Sequence, residues 1–211
     1  MKVLCTLNKF ESFNEIKNLC DGIIITNELV SSRYDNSFTK EEILQVIKKC
    51  NTARMEVYLL MNAIFTDDNI GVAAEFINEF KDTNLQYIFG DLGIYMLLRE
   101  ANISKKGVYN PNTLIANYMD FEFWKPYKIK GLFPTLEIPL DDVSVIGKNK
   151  KVKMFYKGFG LSVMFHSRRK LLSNYKTHKN VLYDFVDSDD LTLIEETRNE
   201  AYKIIENQHG T

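Results

Sequence analysis

The chain has 211 residues, of which 45% are hydrophobic and 26% are charged, and its formal net charge is -1. This is an ordinary globular composition, and the length suits one domain or one compact barrel. No apolar run approaches the roughly 20 residues that a transmembrane helix needs, and the N-terminus MKVLCTLNKFESF lacks the apolar core of a signal peptide. We therefore expect a single cytoplasmic domain over residues 1–211 without a membrane partner.

The three cysteines, Cys5, Cys20 and Cys50, are odd in number and widely spaced. None forms a CxxC pair, and none has a histidine at the spacing of metal ligands. The pattern indicates free thiols in a reducing compartment, so we expect neither disulfides nor a metal site.

Seven short apolar runs alternate with helical patterns along the chain. The runs lie at 3–7, 23–26, 55–61, 85–89, 107–110, 129–135 and 151–156. Between the second and third runs, Thr39 and Glu42 form a capping box that predicts the start of an amphipathic helix. Strands that alternate with helices predict βαβ units and a parallel sheet, and their number favours an α/β, (β/α)8 TIM-barrel-like domain.

An open doubly wound sheet is the alternative architecture. A full barrel usually has more residues than this chain, which keeps the alternative open. However, a doubly wound sheet is expected to carry a glycine-rich phosphate loop after its first strand, and the segment LCTLNKFES has none.

Polar residues close nearly every predicted strand. They are Asn8, Asn27 with Glu28, Asn62, Asp91, Asn110 and Glu137. The carboxyl ends of barrel strands meet at one face, where such folds place their sites, so we predict a shared pocket in which Asn62, Asp91 and Asn110 bind substrate. The alternative is that asparagine and aspartate are simply turn formers after strands.

The stretch GFGLSVMFHSRRKLLSNY, residues 158–175, stands out by its charge. Ten lysines or arginines and no acidic residue lie between Lys148 and Lys179, whereas seven acidic residues lie between Asp184 and Glu200. This segregation predicts a site for an anionic ligand, with a solvated basic face as the alternative.

Arg168 and Arg169 are the residues that we expect to contact such a ligand. Guanidinium groups match the geometry of carboxylates and phosphates, and the pair is predicted to follow a strand directly. The alternative is that both arginines form ion pairs with the acidic segment at 184–200.

Residues 160–173, GLSVMFHSRRKLLS, resemble the signature of the collagenase-like peptidase U-thirty-two family, which runs roughly G-A-L-C-I-A-Y-S-G-R-C-L-L-S. The two sequences align without a gap, but Val163 and Lys170 stand where the family has cysteines. Four weaker similarities occur in the family's order, at 32–42, 91–93, 136–140 and 198–211. In the third of them, Glu137 aligns with the family's glutamate. The family's closing Gly-Thr leads into another strand, so we expect a barrel that is incomplete after Thr211.

The resemblance implies peptidase activity on an undefined substrate, with Glu137 and His166 as catalytic candidates and Ser173 as a substrate contact. The residues themselves contain neither an HExxH motif nor a recognisable triad, so whether the protein is an enzyme stays open. His166 is alternatively a core histidine, and Glu137 is alternatively the counter-ion of the arginine pair.

A second branch of the family takes part in oxygen-independent hydroxylation of RNA bases or quinone precursors and holds an iron–sulfur cluster on cysteines. Neither Val163 nor Lys170 can ligate iron, so we expect no cluster and no other cofactor. The alternative function is therefore a cluster-free member of this branch, or a partner subunit of a cysteine-bearing paralogue. Its anionic ligand would be RNA, or a peptide in the peptidase interpretation.

An aromatic cluster lies in FEFWKPYK, residues 121–128. One interpretation is that these rings stack on a nucleobase. We expect instead that they pack a helix-to-strand connection onto the barrel.

Overall fold

The structure, a computed structural model, describes residues 1–32, 36–183 and 191–211. These residues form two compact units, unit 1 at 1–161 and unit 2 at 162–211. None of the helices in the described part of the chain combines the length and the apolarity that a membrane span requires.

Unit 1 is built on a parallel sheet in which each strand pairs with the next strand of the chain. The strands are β1 Leu4–Thr6, β2 Gly22–Ile25, β3 Glu56–Met61, β4 Leu85–Phe89, β5 Gly107–Tyr109, β6 Gly131–Leu132 and β7 Lys153–Met154. A doubly wound sheet would reverse its strand order at a switch point, and no reversal occurs among these strands. The fold is therefore α/β and TIM-barrel-like, with seven strands in the parallel sheet of the described residues.

Helices follow most of the strands of unit 1. They are α1 Phe13–Ile16, α2 Lys40–Ala53, α3 Ile70–Phe80, α4 Leu92–Glu100, α5 Tyr118–Trp124 and α6 Leu140–Asn149. The predicted capping box starts α2: the amide of Glu42 donates to Thr39 Oγ1 at 3.2 Å, and the amide of Thr39 donates to Glu42 Oε2 at 2.8 Å.

The last two strands of the sheet are shorter than predicted. The sequence predicts strands over 129–135 and 151–156, whereas β6 and β7 contain two residues each. Lys128 adopts a left-handed conformation with φ 55° just before β6, and Pro134, which has no amide hydrogen for a ladder, lies just after it. Backbone hydrogen bonds from Phe133 to Tyr109 and from Phe155 to Leu132 extend the pairing by one further step.

Unit 2 contains one helix, α7 Leu171–Lys179, and an antiparallel hairpin of β8 Thr192–Glu195 and β9 Glu200–Lys203 among its described residues. The sequence predicts that the arginine pair directly follows a strand, but residues 161–167 have no regular secondary structure. Ser167, at the end of this stretch, is held by backbone hydrogen bonds to Thr211.

Both faces of the parallel sheet are apolar, as expected for strands that are covered on both sides. The larger core packs the sheet against the helices, and a smaller cluster around Tyr58, Ile88 and Val108 lies on the opposite face. At the amino ends of the strands this smaller cluster is closed by an ion pair between Lys130 Nζ and Glu56 Oε1 at 2.9 Å. Tyr58 donates its hydroxyl to Glu56 Oε2 at 3.0 Å.

We expect Lys130→Met to lower the free energy of unfolding by about 1–2 kcal/mol, because it leaves the partly buried carboxylate of Glu56 with only the exposed Lys2, 3.5 Å away, as its cation among the described residues. Burial by itself raises the pKa of Glu56, but the hydrogen bonds from Lys130 and Tyr58 outweigh it and hold that pKa below its usual value. The stabilisation is therefore present above the unfolded pKa of glutamate and is lost as the pH falls through the lower folded pKa. Urea unfolding of both proteins at a series of pH values measures this.

Lys40→Met is the matched control, because Lys40 also pairs with a glutamate, Glu79, at 2.6 Å. The two lysines each lie 5.1 Å from an aromatic ring centre, Lys130 from Tyr58 and Lys40 from Phe76. That pair is more exposed, and its loss should cost less than about 1 kcal/mol. Equal losses in the two variants would contradict the structural role of the Glu56–Lys130 pair.

Candidate functional site

The structure places Asn62 and Asn110 directly after β3 and β5, and Asp91 two residues after the last residue of β4, at neighbouring strand ends of unit 1. Each side chain also serves its own turn. Asn62 Oδ1 accepts from the amide of Ser32 at 3.1 Å, Asp91 Oδ1 accepts from Gly93 at 2.6 Å, and Asn110 Oδ1 lies 3.4 Å from the amide of Asn112. The three residues thus follow adjacent strands of the sheet, while the shared pocket and substrate binding by these residues stay predictions.

Glu137 lies in the turn between β6 and α6 and is exposed. Its backbone amide donates to Thr135 Oγ1 at 3.3 Å. Its carboxylate is accessible to a ligand, and its catalytic role stays a prediction.

The signature segment, residues 160–173, is joined to the residues near Thr211 at Ser167. Ser167 and Thr211 exchange two backbone hydrogen bonds, each 2.8 Å long. Gly210, which directly precedes Thr211, has a φ of +115°. A Cβ at this position would lie 2.0 Å from the carbonyl oxygen of Ser167. The Gly-Thr pair that resembles the family pattern therefore has a physical reason, since only glycine allows the two backbones to approach this closely.

Glu206 is a fully buried carboxylate at the start of α7, and the sequence did not single it out. Its oxygens accept from the amides of Leu172 at 2.8 Å and Ser173 at 3.2 Å, from the hydroxyl of Thr211 at 2.8 Å, and from the hydroxyl of Ser173. Burial raises its pKa, but these hydrogen bonds outweigh burial and hold the pKa below its usual value. The signal in the sequence is a lone acid after an apolar pair, Ile204-Ile205-Glu206.

Ser173 was predicted to contact substrate, and the structure gives its hydroxyl a different partner. The hydroxyl donates to Glu206, so its hydrogen is directed into the protein. Because the pKa of Glu206 is lowered, this carboxylate is a weak base for activating a serine nucleophile.

Arg168 and Arg169 are both exposed. The amide and Nε of Arg169 donate to Ser167 Oγ at 3.2 and 3.3 Å. These two hydrogen bonds hold the backbone and the side chain of Arg169 against Ser167. Within the described residues neither arginine forms an ion pair, and Glu195 of the acidic segment pairs with Arg198 at 2.8 Å instead. Residues 184–190 of the predicted ion-pairing segment lie outside the described residues.

His166 is half-buried beside this pair. Burial, followed by the nearby His209 and Arg168, lowers its pKa, so the imidazole is neutral at neutral pH. A neutral imidazole can donate one hydrogen bond and accept another, but the catalytic role that the resemblance implies stays a prediction.

A cleft between α4 and α5 opens beside the carboxyl ends of β4 and β5 and has a volume of about 390 Å³. We call it the α4–α5 cleft; its lining residues are Leu92, Tyr95, Met96, Tyr109, Leu114, Ile115, Asp120, Phe123, Trp124 and Tyr127. Phe121 and Trp124 are buried, as the packing prediction expects, but Phe123 is 60% exposed.

The three thiols are free and lie in unit 1. Burial, followed by interactions with Cys5, raises the pKa of the Cys20 thiol to about 11, and burial raises that of Cys50 to about 12. Both thiols are therefore protonated at neutral pH, which makes them poor nucleophiles.

The signature segment does not fit an iron–sulfur cluster, because Val163 and Lys170 occupy the two cysteine positions and neither side chain ligates iron. Within the described part of the chain, no three histidine, cysteine or acidic side chains are grouped so that they could hold a metal ion.

A curated protein of Bacillus subtilis (strain 168), tRNA hydroxylation protein P2, is 24% identical to this chain over 194 residues. The alignment covers 90% of this chain and 63% of the relative, so the chain spans less than two thirds of that protein.

The fold is similar to a solved structure of a U32 peptidase, Mk0906, with a TM-score of 0.64 and 11% identity. The match covers 99% of this chain and 90% of that one, and at this identity it supports the fold alone. The sequence model of Peptidase family U32 matches residues 7–183, which include strands β2 to β7 and all of the signature residues 160–173. The chain therefore belongs to peptidase family U32.

Proposed function

We propose that this protein binds tRNA and serves tRNA hydroxylation, as a family member whose signature segment carries no iron–sulfur cluster. The observation that carries the proposal is the exposed Arg168–Arg169 pair, mounted on a segment that Ser167, Thr211 and Glu206 hold in place. Guanidinium groups bind phosphates with two hydrogen bonds each, and a fixed backbone keeps the loss of entropy on binding small. The function in the name of the Bacillus subtilis relative supports RNA as the anionic ligand.

Peptide hydrolysis has less support from the residues. It requires an activated nucleophile, whereas Ser173 faces a carboxylate of lowered pKa and the thiols of Cys20 and Cys50 have raised pKa values. We infer that the redox step of hydroxylation belongs to a second protein with the missing thiols, and that both act in the cytoplasm, where tRNA is present. A paralogous subunit is the partner that this division of labour requires.

We expect Arg168→Ala combined with Arg169→Ala to weaken binding of total tRNA about tenfold or more at 100 mM salt, because phosphate contacts supply much of the affinity for RNA. The slope of log K against log salt should fall by about 1 for each phosphate that the variant no longer binds. Filter binding or fluorescence anisotropy with the full chain, at several salt concentrations, measures both quantities.

Lys148→Ala combined with Lys151→Ala is the matched control. It removes the same charge from the same basic stretch, at two exposed positions outside the signature segment. A specific arginine contact predicts a smaller loss of affinity in this control. Equal losses in the two double variants, or no tRNA binding by the unmodified protein, would overturn the proposal.

A further inference from the structure

The α4–α5 cleft has aromatic rings on its floor and at its rim. Tyr95, Tyr109 and Trp124 are each less than a tenth exposed and form the floor, whereas Phe123 and Tyr127 are 60% and 36% exposed and lie at the rim. An exposed phenyl ring beside a cleft leaves apolar surface in water, which a ligand ring would cover.

The rings are held firmly by one another. Trp124 lies 5.4 Å from Tyr127 and 4.5 Å from Tyr109 between ring centres, and Tyr95 meets Trp124 edge-on at 84°. Such contacts hold the walls of the cleft in a preformed arrangement, so binding costs little reorganisation. A volume of about 390 Å³ is at the small end of ligand pockets and suits one ring system.

One carboxylate, that of Asp120, lines this otherwise apolar cleft. Its Oδ2 accepts from the amides of Ala116 at 2.8 Å and Asn117 at 3.1 Å, which fixes the group in place at the start of α5. A fixed carboxylate is an acceptor for N–H groups, which are carried at the edges of nucleobases.

Two cations, Lys125 and Lys128, flank Tyr127 in the turn that follows α5, and both are exposed. Lysines next to exposed aromatic rings are the pattern of surfaces that bind single-stranded nucleic acid, in which rings stack on bases and cations follow the phosphates. A docking site for a protein segment would be expected to extend beyond one ring-sized cleft.

We propose that the α4–α5 cleft binds one unpaired nucleobase of RNA, with Phe123 and Tyr127 stacking on the base, Asp120 accepting from its N–H edge, and Lys125 and Lys128 contacting the flanking phosphates. This inference rests on the proposed function for its substrate class, but the cleft and the arginine pair lie in different units and are tested separately. The base site adds selectivity to the charge-driven binding of the arginines.

The chain contains a single tryptophan, and it lines the cleft. Fluorescence of Trp124 therefore reports occupancy of the cleft directly. We would titrate the full-length chain with a uridine hexanucleotide and with an abasic hexanucleotide of the same phosphate charge. The uridine oligomer should quench the fluorescence saturably, whereas the abasic oligomer should quench it little because it has no base to stack.

Phe123→Ala should weaken binding of the uridine oligomer about tenfold, since truncating a stacking ring removes most of its contact with the base. Leu44→Ala is the control, because Leu44 is an exposed apolar residue on α2, 39% accessible, away from the cleft lining. It should bind the oligomer as the unmodified protein does. Circular dichroism of both variants checks that the fold is retained.

The outcomes separate the two proposals. Binding of tRNA that depends on Arg168 and Arg169, without tryptophan quenching and without an effect of Phe123→Ala, would overturn the base site and leave the proposed function standing. Quenching by the uridine oligomer without tRNA binding would support the base site and overturn the proposed function. Equal quenching by the abasic oligomer, or a Phe123-dependent protein partner with no quenching, would overturn the base site.

Discussion

Replacing Gly210 by alanine is expected to destabilise unit 2 by about 3 kcal/mol or more, because a steric clash adds to an unfavourable backbone conformation. The new Cβ would lie 2.0 Å from the carbonyl oxygen of Ser167 and 2.7 Å from Cα of Arg168, both backbone atoms that cannot rotate away. The φ of +115° is also rarely adopted by residues with a side chain. The paired backbones of Ser167 and Thr211 should separate as a result.

Amide hydrogen exchange of residues 162–211, with chemical denaturation of the whole chain, measures this loss of stability. Gly71→Ala is the control, because Gly71 lies inside α3 and its added Cβ would meet no atom within 4 Å. That change should leave the stability of unit 1 unchanged or raise it by up to about 0.5 kcal/mol, since alanine is the better helix former but Gly71 is only the second residue of α3. Unchanged exchange rates around Ser167 in Gly210→Ala would show that the Gly-Thr turn does not hold the signature segment.

Glu206→Ala is expected to cost unit 2 about 3 kcal/mol, because it leaves the amides of Leu172 and Ser173 buried without an acceptor. Glu206→Gln should cost less, about 1–2 kcal/mol, since the amide oxygen replaces one carboxylate oxygen and Ser173 can turn its hydroxyl to accept. Thermal or urea unfolding followed by exchange at α7 distinguishes the two variants.

The same carboxylate makes the stability of unit 2 depend on pH. The folded pKa of Glu206 is below its usual value, so its stabilisation is complete above the unfolded pKa and is lost as the pH falls through the folded pKa. Glu206→Gln should remove this part of the acid sensitivity. Glu195→Gln is the control: hydrogen bonds from Thr197 and Arg198 lower the pKa of Glu195 as well, but that pair is exposed to solvent, so its loss should change the pH profile much less. A profile that is identical in all three proteins would contradict the role assigned to Glu206.

Local patterns predicted the barrel because each element is encoded by its own residues. The capping box of Thr39 and Glu42 and the apolar face from Ile43 to Cys50 are local in sequence, and they predicted α2 to within a few residues. The strands β6 and β7 were predicted too long because an apolar run does not say how many of its residues pair with a neighbour. Pairing depends on a partner strand and on breakers such as Pro134.

The candidate site was less accessible from sequence because its contacts are not local. Glu206 caps a helix that begins about 34 residues earlier in the chain, and no spacing rule connects the two. The polar residues at the strand ends were found, but their hydrogen bonds to Ser32 and Gly93 depend on the conformations of turns. The sequence predicted that the aromatic residues at 121–128 pack onto the barrel, but it could not separate buried Trp124 from exposed Phe123, because the two are neighbours with the same aromatic character.

The start of α7, which Glu206 occupies, also limits where this protein can bind an anionic ligand. The free amides at the start of a helix are a common seat for phosphate, since the helix dipole adds a partial positive charge there. In this chain the carboxylate of Glu206 already accepts hydrogen bonds from the amides of Leu172 and Ser173, so the anion site at this helix start is occupied by a side chain of the protein itself. A phosphate of the proposed RNA ligand is therefore expected to bind the guanidinium groups of Arg168 and Arg169 instead of this helix start. Removing the Glu206 side chain would free these amides. They would then form a second phosphate-binding site, a few residues from Arg168 and Arg169, which competes with the arginines for the same ligand.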